Sequence, residues 1–482
     1  MSIWNEKIKN EKILNENKEV ETLIIGAGIT GLTTAYYLRE AKSLCVVEAN
    51  KIGHGVTLNT TAKINYFQER NYTKIKNMTS DHIATSYLNS QRDAIVYLKD
   101  IIEQEHISCQ LEKVKSYVFA NKKSEVEPLI KEVEFLKNNN IKVKKEKLPC
   151  NTTSYLSFFV EDTYIFHPLK YLNGITDILK KNGVSIYENT PIVKIEKEGD
   201  YYKCYSDKYE IKAKNIVLAC HYPFFLYPFF LPLKSYIEKS YIIISKTNIK
   251  DNYTCISSSN PTYSCRFYEN NNQKYQISLG QSHNTSIKQD DGKHFKEVKK
   301  MFHLKEKDII MSYTNVDIMS ADLMPYIGSI RENMFLATGY NTWGMTNSVL
   351  AAKMISDTIL NKTNLYSSLF HPKRKNMISY LKIPYHVASQ VKSYLGPKLN
   401  KNKPWYPDNV YFFNEDGKSL ATYIDKNGEK HTIYNKCPHL GCSLIFNKVE
   451  KTWDCPCHSS RFTMDGVCIK GPSLKDISYH KK

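Results

Sequence analysis

Long apolar runs are missing from this sequence. No stretch approaches the ~18 residues of a membrane-spanning helix. The greasiest, residues 222–233 (YPFFLYPFFLPL), is short and interrupted by Pro223, Pro228 and Pro232. A secretory signal is also missing, since the first twenty residues are rich in Lys, Asn and Glu and have no apolar core. A soluble, cytoplasmic protein without a transmembrane segment is therefore expected. Internal repeats and long low-complexity tracts are absent, and with 41% hydrophobic, 24% charged and 12% aromatic residues the chain cannot be disordered or collagen-like. Acid is in short supply: 49 Asp and Glu face 67 Lys and Arg, a net charge of +18. The lysines are spread through the whole chain, which predicts a solvated surface and no nucleic-acid partner. One segment stands apart. Residues 370–404 hold eight Lys or Arg and no acid, and Val387, Val391 and Leu395 form one stripe of a short helix. It reads as a basic connector packed on its own protein, with peripheral membrane contact as the weaker alternative.

With 482 residues the chain has room for two or three domains. Its cysteines divide it. Seven are scattered without metal spacing and read as small core residues, whereas Cys437, Cys442, Cys455, Cys457 and Cys468 crowd into the last fifty positions and mark a separate module.

Near the N-terminus a short apolar strand (22–25) runs into Gly26-Ala27-Gly28-Ile29-Thr30-Gly31. A helix-like stretch (32–38) follows, and then a second apolar strand, 44–47, ending at Glu48. Each part has a job in a dinucleotide site. Gly26 permits the tight turn, Gly28 lets the backbone approach a pyrophosphate, and Gly31 brings helix against strand. The helix N-terminus offers N–H groups to phosphate, and Glu48 can accept hydrogen bonds from ribose hydroxyls. No second glycine motif of this kind occurs, so no separate nicotinamide domain is expected.

Further segments point to FAD. Residues 53–63 (GHGVTLNTTAK) follow the acid, and residues 320–328 (SADLMPYIG) precede 335–346 (FLATGYNTWGMT) and an Ala/Ile-rich helix. Over about residues 20–365 these segments resemble the FAD-dependent oxidoreductases that include D-amino-acid, glycine and sarcosine oxidases. The resemblance implies that Gly26, Gly28, Thr30 and Gly31 hold the pyrophosphate and Glu48 the ribose. Thr57, Thr61 and Ala62 would line the near side of the flavin. Val193 would meet adenine through its backbone, and Ala219 would approach the ribityl chain. Gly339, Tyr340, Trp343, Gly344 and Met345 would form the loop and helix start at the pyrimidine edge, with ordinary packing as the alternative for Tyr340 and Trp343.

The C-terminal motif is C-x-H (Cys437, His439), fifteen residues, then C-x-x-H (Cys455, His458). Two Cys and two His suit tetrahedral zinc. But each half carries an extra cysteine that zinc does not need. Residues 405–482 resemble a Rieske domain. By that resemblance Cys437 and Cys455 bind one iron of a 2Fe-2S cluster, and His439 and His458 the other. Cys442 and Cys457 match the disulfide of cytochrome-complex Rieske proteins, and Gly471-Pro472 the proline loop. Ser460 matches a serine that bonds the cluster. Ser459 replaces a glycine and Phe462 a tyrosine of the high-potential pattern, which implies an intermediate potential.

The expected fold is α/β: a two-layer Rossmann-like FAD-binding domain (about 20–75, 160–222 and 315–365), an antiparallel-sheet substrate domain (about 76–159 and 223–314), the 370–404 connector, and a small all-β Rieske domain (405–482). The expected activity takes a hydride from an amine or amino-acid-like substrate to FAD, then single electrons through the cluster to an unidentified acceptor. The alternative is a redox carrier or sensor without small-molecule turnover. Arg266, in a strand-like segment, is the candidate for clamping a substrate carboxylate through its planar fork; an exposed strand face is its other reading. His283 and His167 are weaker pocket candidates, with helix capping the plainer role for His167.

Overall fold

The computed structural model describes residues 2–479, apart from 5, 7, 9–10, 42, 151, 224–230, 286–289, 375–383, 386, 389–390 and 392–408. Two large sheets build the first 370 residues. The first has a parallel centre, ordered Met334–Thr338, Glu210–Leu218, Lys18–Ile25, Leu44–Val47 and Ser185–Tyr187. Its strands read as continuous apolar runs, such as Leu44-Cys45-Val46-Val47 with all four residues buried, because helices cover a parallel sheet. The helices Ile29–Leu38, Pro168–Lys181 and Gly344–Ile359 pack together over this sheet.

The second sheet runs Ile309–Ser320, Ser235–Lys246, Gln273–Asn284, Tyr263–Asn270, Tyr253–Ser257, Glu112–Ala120, Leu156–Ile165 and Lys63–Ile64. All its pairs are antiparallel except Tyr253–Ser257 with Glu112–Ala120. Leu156–Ile165 and Ile309–Ser320 each run through a boundary expected near 160 or 315, because both pair along their length within this sheet.

The sheet is a septum. Side chains alternate along a strand, so Tyr236, Glu238, Ser240 and Ile242 face one cavity while Lys239 faces the opposite side. Asn315, Asp317 and Met319 repeat the pattern against Thr314 and Val316. The C-terminal domain, a three-stranded and a four-stranded antiparallel sheet, docks on that opposite side. Ile309–Ser320 is an edge strand. Glu450 of the C-terminal domain accepts the Thr314 N–H at 3.0 Å, and Arg461 donates to the Thr314 hydroxyl. Lys239 sits 3.0 Å from Asp291 and 3.7 Å from Asp454, so the charges of this interface are compensated across it.

The helical stripe expected at 387–395 lies partly outside the described residues. The start of the basic connector is anchored: Arg374 makes a two-pronged ion pair with the buried Asp322 at 2.7 and 2.8 Å and donates to three carbonyls. No described helix is long and apolar enough to cross a membrane.

Candidate functional site: two adjoining cofactor sites

The N-terminal turn has the geometry its glycines predict. Gly26 adopts a φ of +111°, and a Cβ there would lie 2.6 Å from the Ala219 carbonyl oxygen; a Cβ on Gly31 would lie 1.8 Å from the Gly26 oxygen. The turn forms one wall of a cavity of about 310 Å³. Gly28, Thr30, Glu48, Thr57, Ala219, Gly339, Tyr340, Gly344 and Met345 also line it. Glu48 accepts the N–H groups of Ala27 at 2.9 Å and Asn50 at 3.0 Å, and its burial raises its pKa. The Tyr340 hydroxyl bonds the Thr30 hydroxyl at 2.9 Å, tying the late loop to the phosphate turn. A cradle that side chains would fill, an acid at the end of the second strand and two helix N-termini fit FAD.

Three expectations change, for Val193, Arg266 and His283, and His167 takes the capping role given to it as the plainer one. Val193 lies outside this wall: it is 43% exposed and gives its N–H to Tyr205, because the chain has already left the cavity to begin the hairpin strand Lys194–Glu198. Thr190, Pro191 and Ile192 line the cavity in its place. Arg266 is neither exposed nor a substrate clamp. It is 2% exposed, and its guanidinium donates to the carbonyls of Thr61, Ala62, Phe166 and Phe267. It holds the 61–62 turn, where Ala62 has a φ of +50°. His167 caps the helix Pro168–Lys181 by accepting the Lys170 N–H at 3.2 Å, and its ring packs on Trp4. His283 faces the domain interface, 3.0 Å from the Tyr241 hydroxyl, because it lies on the outer face of the septum.

A second cavity of about 250 Å³ shares Val56, Asp317, Gly344 and Met345 with the first. Thr61 and Trp343 line it, facing the inner wall of the septum. The helix start at Gly344 is braced from beneath by residues with no sequence signal. Gln91 donates to Asn347 at 2.9 Å and accepts from Thr346 at 2.6 Å and from Gln68 at 2.9 Å.

In the C-terminal domain Cys437 and Cys455 are buried, and the rings of His439 and His458 are 4.9 Å apart at 88°. Both ring nitrogens of the buried His458 lack a hydrogen-bond partner, the state of a histidine kept for a metal. Cys442 and Cys457 form a disulfide, which removes the extra pair from coordination. The Ser460 hydroxyl meets the Cys437 thiol and accepts the Ser473 N–H at 2.9 Å, tying the 471–473 loop to the site. Two thiols and two imidazoles so arranged fit a 2Fe-2S cluster of mixed ligation.

The two sites adjoin. Residues 468–474 of the C-terminal domain line the FAD cavity. Tyr222, three residues beyond Ala219, lines that cavity as well, and its ring centroid lies 4.9 Å from that of His458 and 6.3 Å from that of His439. His221 beside it has a φ of +63° and a buried, unpartnered Nε2; burial pushes its pKa down to about 3, so the ring is neutral. The spacing of motifs could not reveal either residue as a junction.

Comparison with known proteins agrees with both sites. Residues 21–358 match the FAD dependent oxidoreductase family and residues 399–481 the Rieske [2Fe-2S] domain. A Bacillus subtilis protein, YhfW, described as a Rieske 2Fe-2S iron-sulfur protein, is 29% identical over 96% of this chain and 94% of its own. Among solved structures, glycine oxidase from Geobacillus kaustophilus superposes with a TM-score of 0.61 at 14% identity, covering 74% of this chain and all of its own. L-proline dehydrogenase from P. horikoshii gives 0.60 at 16%, covering 74% and 98%.

Proposed function

The chain belongs to the FAD dependent oxidoreductase family and carries a C-terminal Rieske domain, and from that premise we propose that it oxidises an amine or amino-acid-like substrate and delivers the electrons through its own cluster to an external acceptor. Bound FAD supplies an acceptor for two electrons, and the 2Fe-2S cluster carries them one at a time.

The protein's residues divide the remaining work. Gly26, Gly28, Thr30 and Gly31 with the first helix N-terminus hold the pyrophosphate, and Glu48 the ribose. The N-terminus of Gly344–Ile359 directs N–H groups and partial positive charge toward the flavin edge, where negative charge collects on reduction. Thr57 lines the first cavity and Thr61 the second, with Arg266 fixing the backbone of Thr61 and Ala62. Cys437, Cys455, His439 and His458 are the cluster ligands. The 471–473 loop lines the first cavity and is tied through the Ser473 N–H to Ser460 beside Cys437.

The observation that carries this reading is Tyr222, one buried ring that lines the FAD cavity and packs on both histidine ligands. A cluster held by these residues would have its two histidines on the side of the protein's own FAD cavity. The adjoining 250 Å³ cavity gives a small substrate a place beside the flavin, which favours an enzyme over a carrier that only relays electrons between proteins. An anaerobic titration of the holoenzyme with a panel of amines and amino acids tests the reading. One substrate should bleach the flavin and reduce the cluster in the same experiment. A flavin that every panel member leaves oxidised, in protein whose cluster is reduced readily by a protein donor, would establish the carrier instead.

A further inference from the structure

Resting on the amine-oxidation reading above, we infer that the substrate cavity selects a cationic amine: a molecule bearing a second ammonium group beyond the one oxidised, and no carboxylate.

The argument starts from strand register. Glu238 on Ser235–Lys246 stands directly opposite Asp317 on Ile309–Ser320, and Ser240 stands directly opposite Asn315. All four line the cavity. Like charges placed opposite each other across an antiparallel ladder repel, and among the described residues neither carboxylate makes a hydrogen bond or a close ion pair; Lys74 acts on Glu238 and Lys470 on Asp317 only from farther away. Glu69 adds a third carboxyl to the same cavity. Burial and the neighbouring acids push Glu238 up to about 8, and burial pushes Asp317 up to about 6. The next cross-strand pair is unsatisfied in a complementary way. The Ser240 hydroxyl and the Asn315 Oδ1 are buried, at 4% and 7% residue exposure, and have no hydrogen-bond partner. A buried polar group left unmade costs about 1–3 kcal/mol; the Asn315 oxygen can only accept, and the Ser240 hydroxyl can accept as well, so a ligand that supplies N–H donors would satisfy both.

The cations of the cavity do not offset this wall. Arg70 faces Glu125 at 3.1 Å through one terminal nitrogen, and its Nε is buried without a hydrogen-bond partner. Lys63 bonds the Ser264 hydroxyl, and burial pushes it down to about 8. Lys74 also lines the cavity and lowers the Glu238 pKa only against the larger effects of burial and Glu69. Arg266, the one guanidinium in the neighbouring strand, is held by main-chain carbonyls. A carboxylate approaching Glu238 and Asp317 would meet two acids directly opposite each other. An ammonium group there would allow both acids to ionise side by side and could donate to Asn315 and Ser240. Because Asp317 also lines the FAD cavity, the ammonium so held lies one short chain away from the flavin.

The test measures binding rather than turnover. Anaerobic, oxidised holoenzyme is titrated with 1,4-diaminobutane, 1-aminobutane and 4-aminobutanoate, and perturbation of the flavin absorbance gives each Kd. The diamine should bind at least about tenfold more tightly than 4-aminobutanoate, with the monoamine between them. Glu238→Gln and Asp317→Asn, each checked for full FAD content, should remove most of that preference. Equal or tighter binding of 4-aminobutanoate, a preference that survives both substitutions, or no perturbation by any of the three overturns the inference. The oxidation reading fails separately: a diamine that binds as expected yet never bleaches the flavin leaves the selectivity standing, and bleaching by 4-aminobutanoate alone leaves the oxidation standing.

Discussion

Arg266 shows how much one buried side chain can organise. Its guanidinium satisfies four carbonyls from three separate stretches of chain, two of them in the 61–62 turn, whose Thr61 lines the second cavity. Arg266→Met removes the donors and leaves those acceptors buried, so unfolding free energy should fall by about 3–4 kcal/mol and FAD content should drop with it. Arg266→Lys should rescue only partly, because an ammonium cannot reproduce the planar fork. Denaturant titration with flavin quantification checks both; intact FAD and stability with weakened carboxylate binding would restore the clamp reading. His458 offers a second test at this scale. His458→Cys places a thiolate beside the iron, and the cluster potential should fall by on the order of 100 mV, the difference between neutral and anionic ligation. Redox titration followed by absorbance reads it, and an unshifted potential with the cluster intact would remove His458 from the ligand set.

At the scale of the element, the septum sheet explains the chemistry on both its sides. Alternation alone sends Glu238 and Asp317 inward and Lys239 and Thr314 outward. The inward acids have a stability consequence. The folded-state pKa of Glu238, about 8, lies above the unfolded value, so the folded form holds the extra proton. Its contribution to stability is present at low pH and is lost as pH rises toward 8. Between pH 6.5 and 8 the ligand-free protein should lose up to about 2 kcal/mol through this group. Glu238→Gln should flatten that slope in denaturant melts, and an unchanged slope would place the titration elsewhere. In the C-terminal domain the disulfide clamps two ligand loops across a sequence separation of 15. Reducing it, or replacing Cys442 and Cys457 by Ser, should cost about 3 kcal/mol and release the cluster at lower temperature than in the parent.

On the scale of the whole molecule, the docked Rieske domain supplies part of the wall of the FAD cavity and brings His439 and His458 against Tyr222, which lines it. Tyr222→Ala should therefore leave flavin reduction by substrate unchanged while cluster reduction lags behind it. Stopped-flow absorbance separates the two phases. If both remain synchronous at the parental rate, the electrons do not pass by this ring. The interface charges are arranged for a fixed contact: Lys239 lies between Asp291 of the first domain and Asp454 of the second. Lys239→Met leaves two acids facing each other, and should produce the same lag by loosening the dock.

The sequence by itself determined the features that arise from neighbours along the chain. A turn between strand and helix needs Gly26 and Gly31 whatever surrounds it, and the paired C-x-H and C-x-x-H loops carry their own donors, so both cofactors and the order of domains could be read without coordinates. What depends on residues far apart in sequence was decided by tertiary structure. Arg266 looked like a binding residue because its strand belongs to the substrate sheet, but the carbonyls that occupy it come from residues 61, 62 and 166. Val193 missed the cavity by one or two positions, since the exact point where a chain leaves a wall is set by packing. His283 is on the right strand and the wrong face, a matter of parity that a β-bulge between Lys239 and Tyr241 can alter. Tyr222 and the pair Glu238–Asp317 gain their meaning only from what is brought opposite them. Local geometry is written in short motifs; juxtaposition follows from register and docking, which no single segment specifies.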